Sequence, residues 1–160
     1  MEDDTISIRE PPMRNSGAMG GKFLRRQSSK LPDGSKLSVK DMFIGNVVDL
    51  NCHHFKLLRA DEYTYRLMEN DSTTFPYSDF NQIHEALQEK TEAFSKYFTT
   101  EYDVKGKLDI EHLKEACEKV GLNFNSQQIM TFWRKLDKRG KHKISFTKII
   151  KLLSSENEGV

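Results

Sequence analysis

Only two cysteines, Cys52 and Cys117, occur in the 160 residues. Two are too few for a disulfide-stapled scaffold. No apolar run approaches the ~20 residues that a membrane helix needs. The acidic start "MEDDTISIRE" lacks the basic and apolar regions of a secretory signal. A reducing compartment with both thiols free is therefore expected, and Cys117 reads as a small core residue on a helix. No GxSxG elbow, phosphate loop or pair of catalytic carboxylates occurs. No enzyme is expected. The one histidine cluster, Cys52-His53-His54, lies on a tight polar turn. Adjacent turn residues face different ways, whereas zinc needs four well-spaced ligands.

What is present is polar: 36% hydrophobic and 31% charged residues. That predicts a modest core. The net charge of +1 conceals an asymmetry. Arg134 to Lys151 holds eight Lys/Arg against Asp137 alone, a local +7, which leaves −6 for the remainder. Such a run is either a solvated face or a surface for an acidic partner. A nucleic-acid surface is not expected, because Phe132 and Trp133 fit a helix core and no recognition motif accompanies the charge.

Residues 1–38 are rich in Pro, Gly, Ser and Lys/Arg. Pro11-Pro12 and Gly20-Gly21 forbid a long helix, "GGKFLRR" suggests one short strand, and the rest reads as extended loop. Residues 39–72 change character. Phe43, Ile44, Val47, Val48 and Leu50 form one β-rich run, "NCHH" a turn, and Phe55 to Leu58 a second run, which together predict a hairpin. Asp61 is placed to cap a short helix, and "DSTTFP" breaks it.

Residues 79–154 are helical by period, and 155–160 form a tail. "FNQIHEALQEKTEAFSKYF" spaces Phe80, Ile83, Leu87, Phe94, Tyr97 and Phe98 along one face. A second helix carries Ile110, Leu113, Ala116, Cys117 and Val120 and stops at Gly121. A third opens with Asn125 and Gln128 as a capping box and buries Ile129, Phe132, Trp133 and Leu136. The last buries Phe146, Ile149, Ile150 and Leu153.

These units, through "GKLDIEHLKEA", "VGLNFNSQQI" and "LDKRGKHKISFTKI", resemble a paired EF-hand lobe over about residues 92–153. The resemblance implies a short β-bridge between Leu108 and Ile144. A working calcium loop needs oxygens at positions 1, 3, 5, 7 and 9, a bidentate Glu at 12 and Gly at 6. With Asp137 at position 1, Arg139, Lys141, His142 and Lys148 fall at 3, 5, 6 and 12. One ammonium ~4 Å from a divalent ion repels it by roughly 8 kcal/mol at an effective dielectric of 20. In the first loop Glu101, Asp103 and Asp109 are weak candidate ligands, but Lys105 and His112 displace two others. Thr99 and Thr100 also intervene after Tyr97-Phe98, a two-residue shift of register. No calcium or other cofactor is expected. The alternative is a weak calcium sensor built on the first loop.

The segments "REPPMRNSGAMGGKFL" and "DMFIGNVVDLNCHHFKLLRADEYTYRLMEN" resemble the closing part of a DM-ten domain. In that order, followed by an EF-hand pair, they are similar to the EF-hand domain-containing family C (myoclonin-type) proteins. The expected fold is α+β: an incomplete hairpin-plus-helix end of a DM-ten domain, then a four-helix EF-hand-like lobe. A DM-ten domain runs to about 100 residues, so about 35 are expected to be missing here. Phe43, Val47, Phe55 and Leu57 should then lack partners, leaving residues 1–70 loose. The family resemblance implies a non-enzymatic structural module of the ciliary axoneme, like part of a microtubule inner protein. It would sit in the cytoplasm on the cytoskeleton and bind tubulin of the doublet microtubule and neighbouring axonemal proteins, with no membrane or nucleic acid involved. The expected partner surface is Arg134, Lys135, Lys138, Arg139, Lys141 and Lys143.

Overall fold

The computed structural model describes residues 3–15, 17, 19–101 and 106–155, the side chain of Glu101 excepted. The fold is α+β, with small antiparallel sheets and six α-helices among the described residues. The chain divides into two compact units, Met1–Met42 with Asn46–Leu57, and Phe43–Gly45 with Leu58–Val160.

The first unit is built on two hairpins. Strands β1 (Thr5–Glu10) and β2 (Gly21–Ser28) pair antiparallel. The short strand expected at "GGKFLRR" is present, but the segment before it is a strand rather than extended loop. Ile6 and Ile8 alternate along β1 and pack against a core of Leu37, Val48 and Leu50, and that burial favours strand over loop. Gly20 is obligatory, since a Cβ there would lie 2.5 Å from Pro12 N and 2.6 Å from Glu10 O.

Strands β3 (Val47–Leu50) and β4 (His53–Lys56) form the second hairpin. Its two turn residues, Asn51 and Cys52, have φ of 49° and 62°, the left-handed pair that suits a two-residue hairpin loop. The apolar run expected as one strand is split. Only Val47–Leu50 is strand, whereas Phe43–Gly45 belongs to the helical unit. The expectation of four unpartnered side chains is corrected in three places. Phe43 meets the Tyr77 ring at 4.8 Å, and Phe55 and Leu57 pack against the β core. Val47 remains 52% exposed.

The second unit begins with α1 (Glu62–Asn70), where the Asp61 side chain accepts the Thr64 N–H as N-cap. A 3-10 turn, Pro76–Ser78, follows. The periodic stretch after Asp79 is two helices, α2 (Phe80–Glu89) and α3 (Thr91–Glu101), so the described residues of 79–154 carry five helices rather than four. The break lies at Lys90. There the Thr91 hydroxyl donates to the Gln88 carbonyl at 2.8 Å and ends α2 by competing for its last turn.

Helices α4 (Ile110–Lys119), α5 (Ser126–Leu136) and α6 (Phe146–Ser154) complete the unit. Gly121, at φ 86°, lets the Leu122 N–H reach back to the Cys117 carbonyl at 2.8 Å and closes α4. Asn125 and Gln128 form the expected capping box, with both hydrogen bonds at 2.9 Å. The two-residue strands β5 (Lys107–Leu108) and β6 (Ile144–Ser145) pair Leu108 with Ile144, the bridge anticipated from the sequence.

One core unites α2 to α6, with Phe94, Phe98, Leu113, Phe132, Ile149 and Leu153 essentially inaccessible. Each such side chain contributes about 1.5–3 kcal/mol by leaving water. Every apolar position assigned to these helices from periodicity is buried or half-buried.

Candidate functional site

The loop after α5 is organised by Asp137. Its backbone N–H donates to the Trp133 carbonyl at 2.8 Å, which fixes the end of α5. Its carboxylate then turns into the loop. Oδ1 accepts the Lys141 N–H at 2.9 Å and Oδ2 accepts the His142 N–H at 2.7 Å. Gly140 and His142 take the left-handed conformations, φ 62° and 56°, that fold the chain back onto the carboxylate. Burial raises the Asp137 carboxyl. The two N–H donors and the charges of His142 and Lys148 outweigh it, so the group sits below its ordinary range.

This geometry bears on the metal question. The one carboxylate of the loop has both oxygens committed to backbone N–H groups, and cations stand at three of the positions where a calcium loop places oxygens. The residues of this loop do not fit calcium. In the first loop Asp103 and Lys105 lie outside the described residues, as does the side chain of Glu101. Asp109 is described, and it works as the N-cap of α4. It accepts the His112 N–H at 3.1 Å and meets His112 Nδ1 at 2.7 Å. The His112 N–H is the main reason its carboxyl is lowered.

The six expected partner-surface residues separate into two groups. Lys138, Arg139, Lys141 and Lys143 are exposed on the Asp137 loop. Arg134 and Lys135 stand on α5 and are engaged within the unit. Arg134 donates through Nε to Glu69 at 2.6 Å and through Nη1 to Glu62 at 2.7 Å. Its guanidinium lies 4.6 Å from the Tyr65 ring centroid. Hydrogen bonds from Arg134 hold the Glu62 carboxyl down at about 2. Lys135 places its ammonium 5.3 Å from the centroid of the Phe80 ring. The free positive charge is thus concentrated on the loop rather than spread along α5.

Sequence reading missed the polar residues that tie α5 to its surroundings. Gln127 is fully buried. Its Oε1 accepts the Ile44 N–H at 2.9 Å and its Nε2 donates to the buried Ser78 hydroxyl at 3.1 Å. A signal was there: Gln127, Thr131 and Arg134 recur at i, i+4, i+7, a second helical face of polar type. The histidine cluster on the β3–β4 turn is dispersed. The His53 ring meets Phe23 at 4.9 Å, His54 Nδ1 contacts the Asp49 carboxylate, and Cys52 is exposed.

Comparison with known proteins places relatives along both halves of the chain. The family model for the DM10 domain matches residues 1–64. An EF-hand domain-containing family member C2 of Mus musculus is 40% identical over 102 residues, 58% of this chain and 14% of that protein. The family member C2 of Danio rerio is 30% identical over 148 residues, 84% of this chain and 20% of that protein. An EF-hand domain-containing protein 1 of Homo sapiens is 34% identical over 125 residues, 72% of this chain and 19% of that protein. The chain therefore spans a fifth or less of the length of these relatives.

Proposed function

We infer that this chain, a protein of the DM10 and EF-hand domain-containing type, is a non-enzymatic interaction module that docks on an acidic cytoskeletal partner. In this reading residues 79–154 are a degenerate EF-hand pair kept as scaffold. The α3–α4 and α5–α6 units with their Leu108–Ile144 bridge support that assignment. The hairpin and α1 before them are the end of a DM10 domain.

The observation that carries the proposal is the Asp137 loop. A calcium loop would spend its carboxylates on a metal, whereas here the carboxylate holds the loop closed through two backbone N–H groups. Lys138, Arg139, Lys141 and Lys143 are left facing solvent. Four cations on one fixed loop steer association with a negatively charged surface and suppress docking of basic ones. Tubulin of the ciliary doublet microtubule, with neighbouring axonemal proteins, is the partner the family resemblance suggests. The site of action would be the cytoskeleton of the axoneme.

Co-sedimentation with microtubules over a salt series tests this. Binding at low salt that falls steeply as salt rises is expected. Absence of sedimentation at low salt would remove the proposal. Calorimetry separates it from a sensor: a calcium site tighter than about 10 µM lies in the sensor range and would favour that alternative.

A further inference from the structure

The β1–β2 hairpin carries a feature that the docking loop does not use. Between the pairs Ile6↔Gln27 and Ile8↔Leu24 the register slips. Ser7 is opposed there by two residues, Arg25 and Arg26, the arrangement of a β-bulge. A bulge re-aims side chains that regular pairing would alternate, and both arginines are exposed. Two residues beyond Arg26, Ser28, also exposed, closes β2 opposite Thr5.

The spacing is chemically specific. Serine kinases whose substrate clefts are acidic hold an extended segment and read its cations at fixed distances before the hydroxyl. Guanidinium suits such a cleft because its planar fork meets a carboxylate bidentately. In "RRQS", Arg25 and Arg26 lie three and two residues before Ser28. The backbone there is already extended, and among the described residues β2 pairs only along its β1 edge.

We propose that Ser28 is a phosphorylation site for an arginine-directed serine kinase, with Arg25 and Arg26 as its recognition residues. The donor is a nucleoside triphosphate bound with magnesium in the kinase. The bond from the γ-phosphorus to the bridging oxygen breaks, and a bond to Ser28 Oγ forms. The hydroxyl proton passes to the kinase's base, and the nucleoside diphosphate leaves.

The product has a defined place to act. Arg26 now bridges to the Asp3 carboxylate at 3.1 Å and donates to the Thr5 hydroxyl at 2.8 Å. Thr5 is the cross-strand partner of Ser28, so a phosphate on Ser28 enters the same cluster and competes with Asp3 for Arg26. The modification would offset the positive charge of Arg25 and Arg26 at this strand end and loosen the hold of Asp3 on β2.

The test uses the intact chain, magnesium ATP and the catalytic subunit of a cyclic-AMP-dependent kinase as the arginine-directed probe. Peptide mass spectrometry is expected to locate one phosphoryl group on Ser28. Ser28→Ala should abolish incorporation, and Ser29→Ala should leave it unchanged. Arg25→Ala and Arg26→Ala should each slow it about tenfold. These positions are exposed, so circular dichroism should report unchanged secondary structure. Incorporation that survives Ser28→Ala, that ignores both arginine variants, or that occurs only after heat denaturation would overturn the assignment.

Discussion

The side-chain oxygen of Gln127 accepts the backbone N–H of Ile44 at 2.9 Å, joining residues 83 positions apart. The same amide donates to Ser78, so one fully buried side chain on α5 fixes two segments of the helical unit. Next to this contact Gly45 takes φ 90°, and a Cβ there would lie 2.9 Å from Ser126 Cβ. Gln127→Leu removes both hydrogen bonds of a buried amide and strands the Ile44 N–H. It should cost about 1–3 kcal/mol, read by denaturant unfolding. Gly45→Ala combines a disfavoured conformation with a close approach and should cost about 1–2 kcal/mol.

Arg134 should behave as a structural residue rather than a docking residue. Its side chain is only 18% exposed and that of Glu69 19%. Arg134→Ala should destabilise the helical unit by about 1–2 kcal/mol through loss of the Glu69 pair and the stacking on Tyr65. Arg134→Lys should recover only part of this, because an ammonium cannot serve Glu62 and Glu69 with a rigid fork. Microtubule sedimentation of the folded variant should match the parent chain.

Acid should act through the depressed carboxylates. Asp137 and Glu62 both lie below their ordinary values, Glu62 at about 2 against 4.5. A lowered folded-state value means stability that is present above the unfolded value and lost as pH falls through the folded one. The Glu62 contribution should therefore persist above pH ~4.5 and disappear progressively toward pH ~2, and that of Asp137 should likewise be lost on acidification. Asp137→Ala should flatten that part of the stability curve. An unchanged acid slope would show that the carboxylate does not hold the loop.

The two thiols should differ sharply in reactivity. Burial, with a smaller push from Glu118, raises the Cys117 thiol to about 12, while Cys52 is exposed on its turn. Thiolate is the reactive form. A disulfide reagent at pH 8 should titrate Cys52 at once and Cys117 only on unfolding.

Helix periodicity and capping were legible in the sequence because they are local. The apolar faces of α2 to α6 and the Asn125–Gln128 box follow from residues within a few positions of one another, whereas the Leu108–Ile144 bridge, between distant residues, follows only from the EF-hand resemblance. What was hidden depended on distant partners. Ile6 and Ile8 become a strand through pairing with residues across a long connection. The run Phe43 to Leu50 splits because Gln127 and Tyr77 take its first part. In the sequence Arg134 is one more cation in a charged run, and only the placement of Glu62 and Glu69 on α1 shows it to be paired. Charge count locates a basic segment; burial decides which of its charges remain available.

The most direct measurement compares microtubule binding of the parent chain with a variant carrying Lys138→Glu, Arg139→Glu, Lys141→Glu and Lys143→Glu. All four side chains are exposed, and the loop is tied by backbone N–H groups that the variant keeps. The fold should be unchanged, and affinity at low salt should fall by about tenfold or more, with a shallower salt dependence. A folded variant that sediments as the parent does would contradict the account.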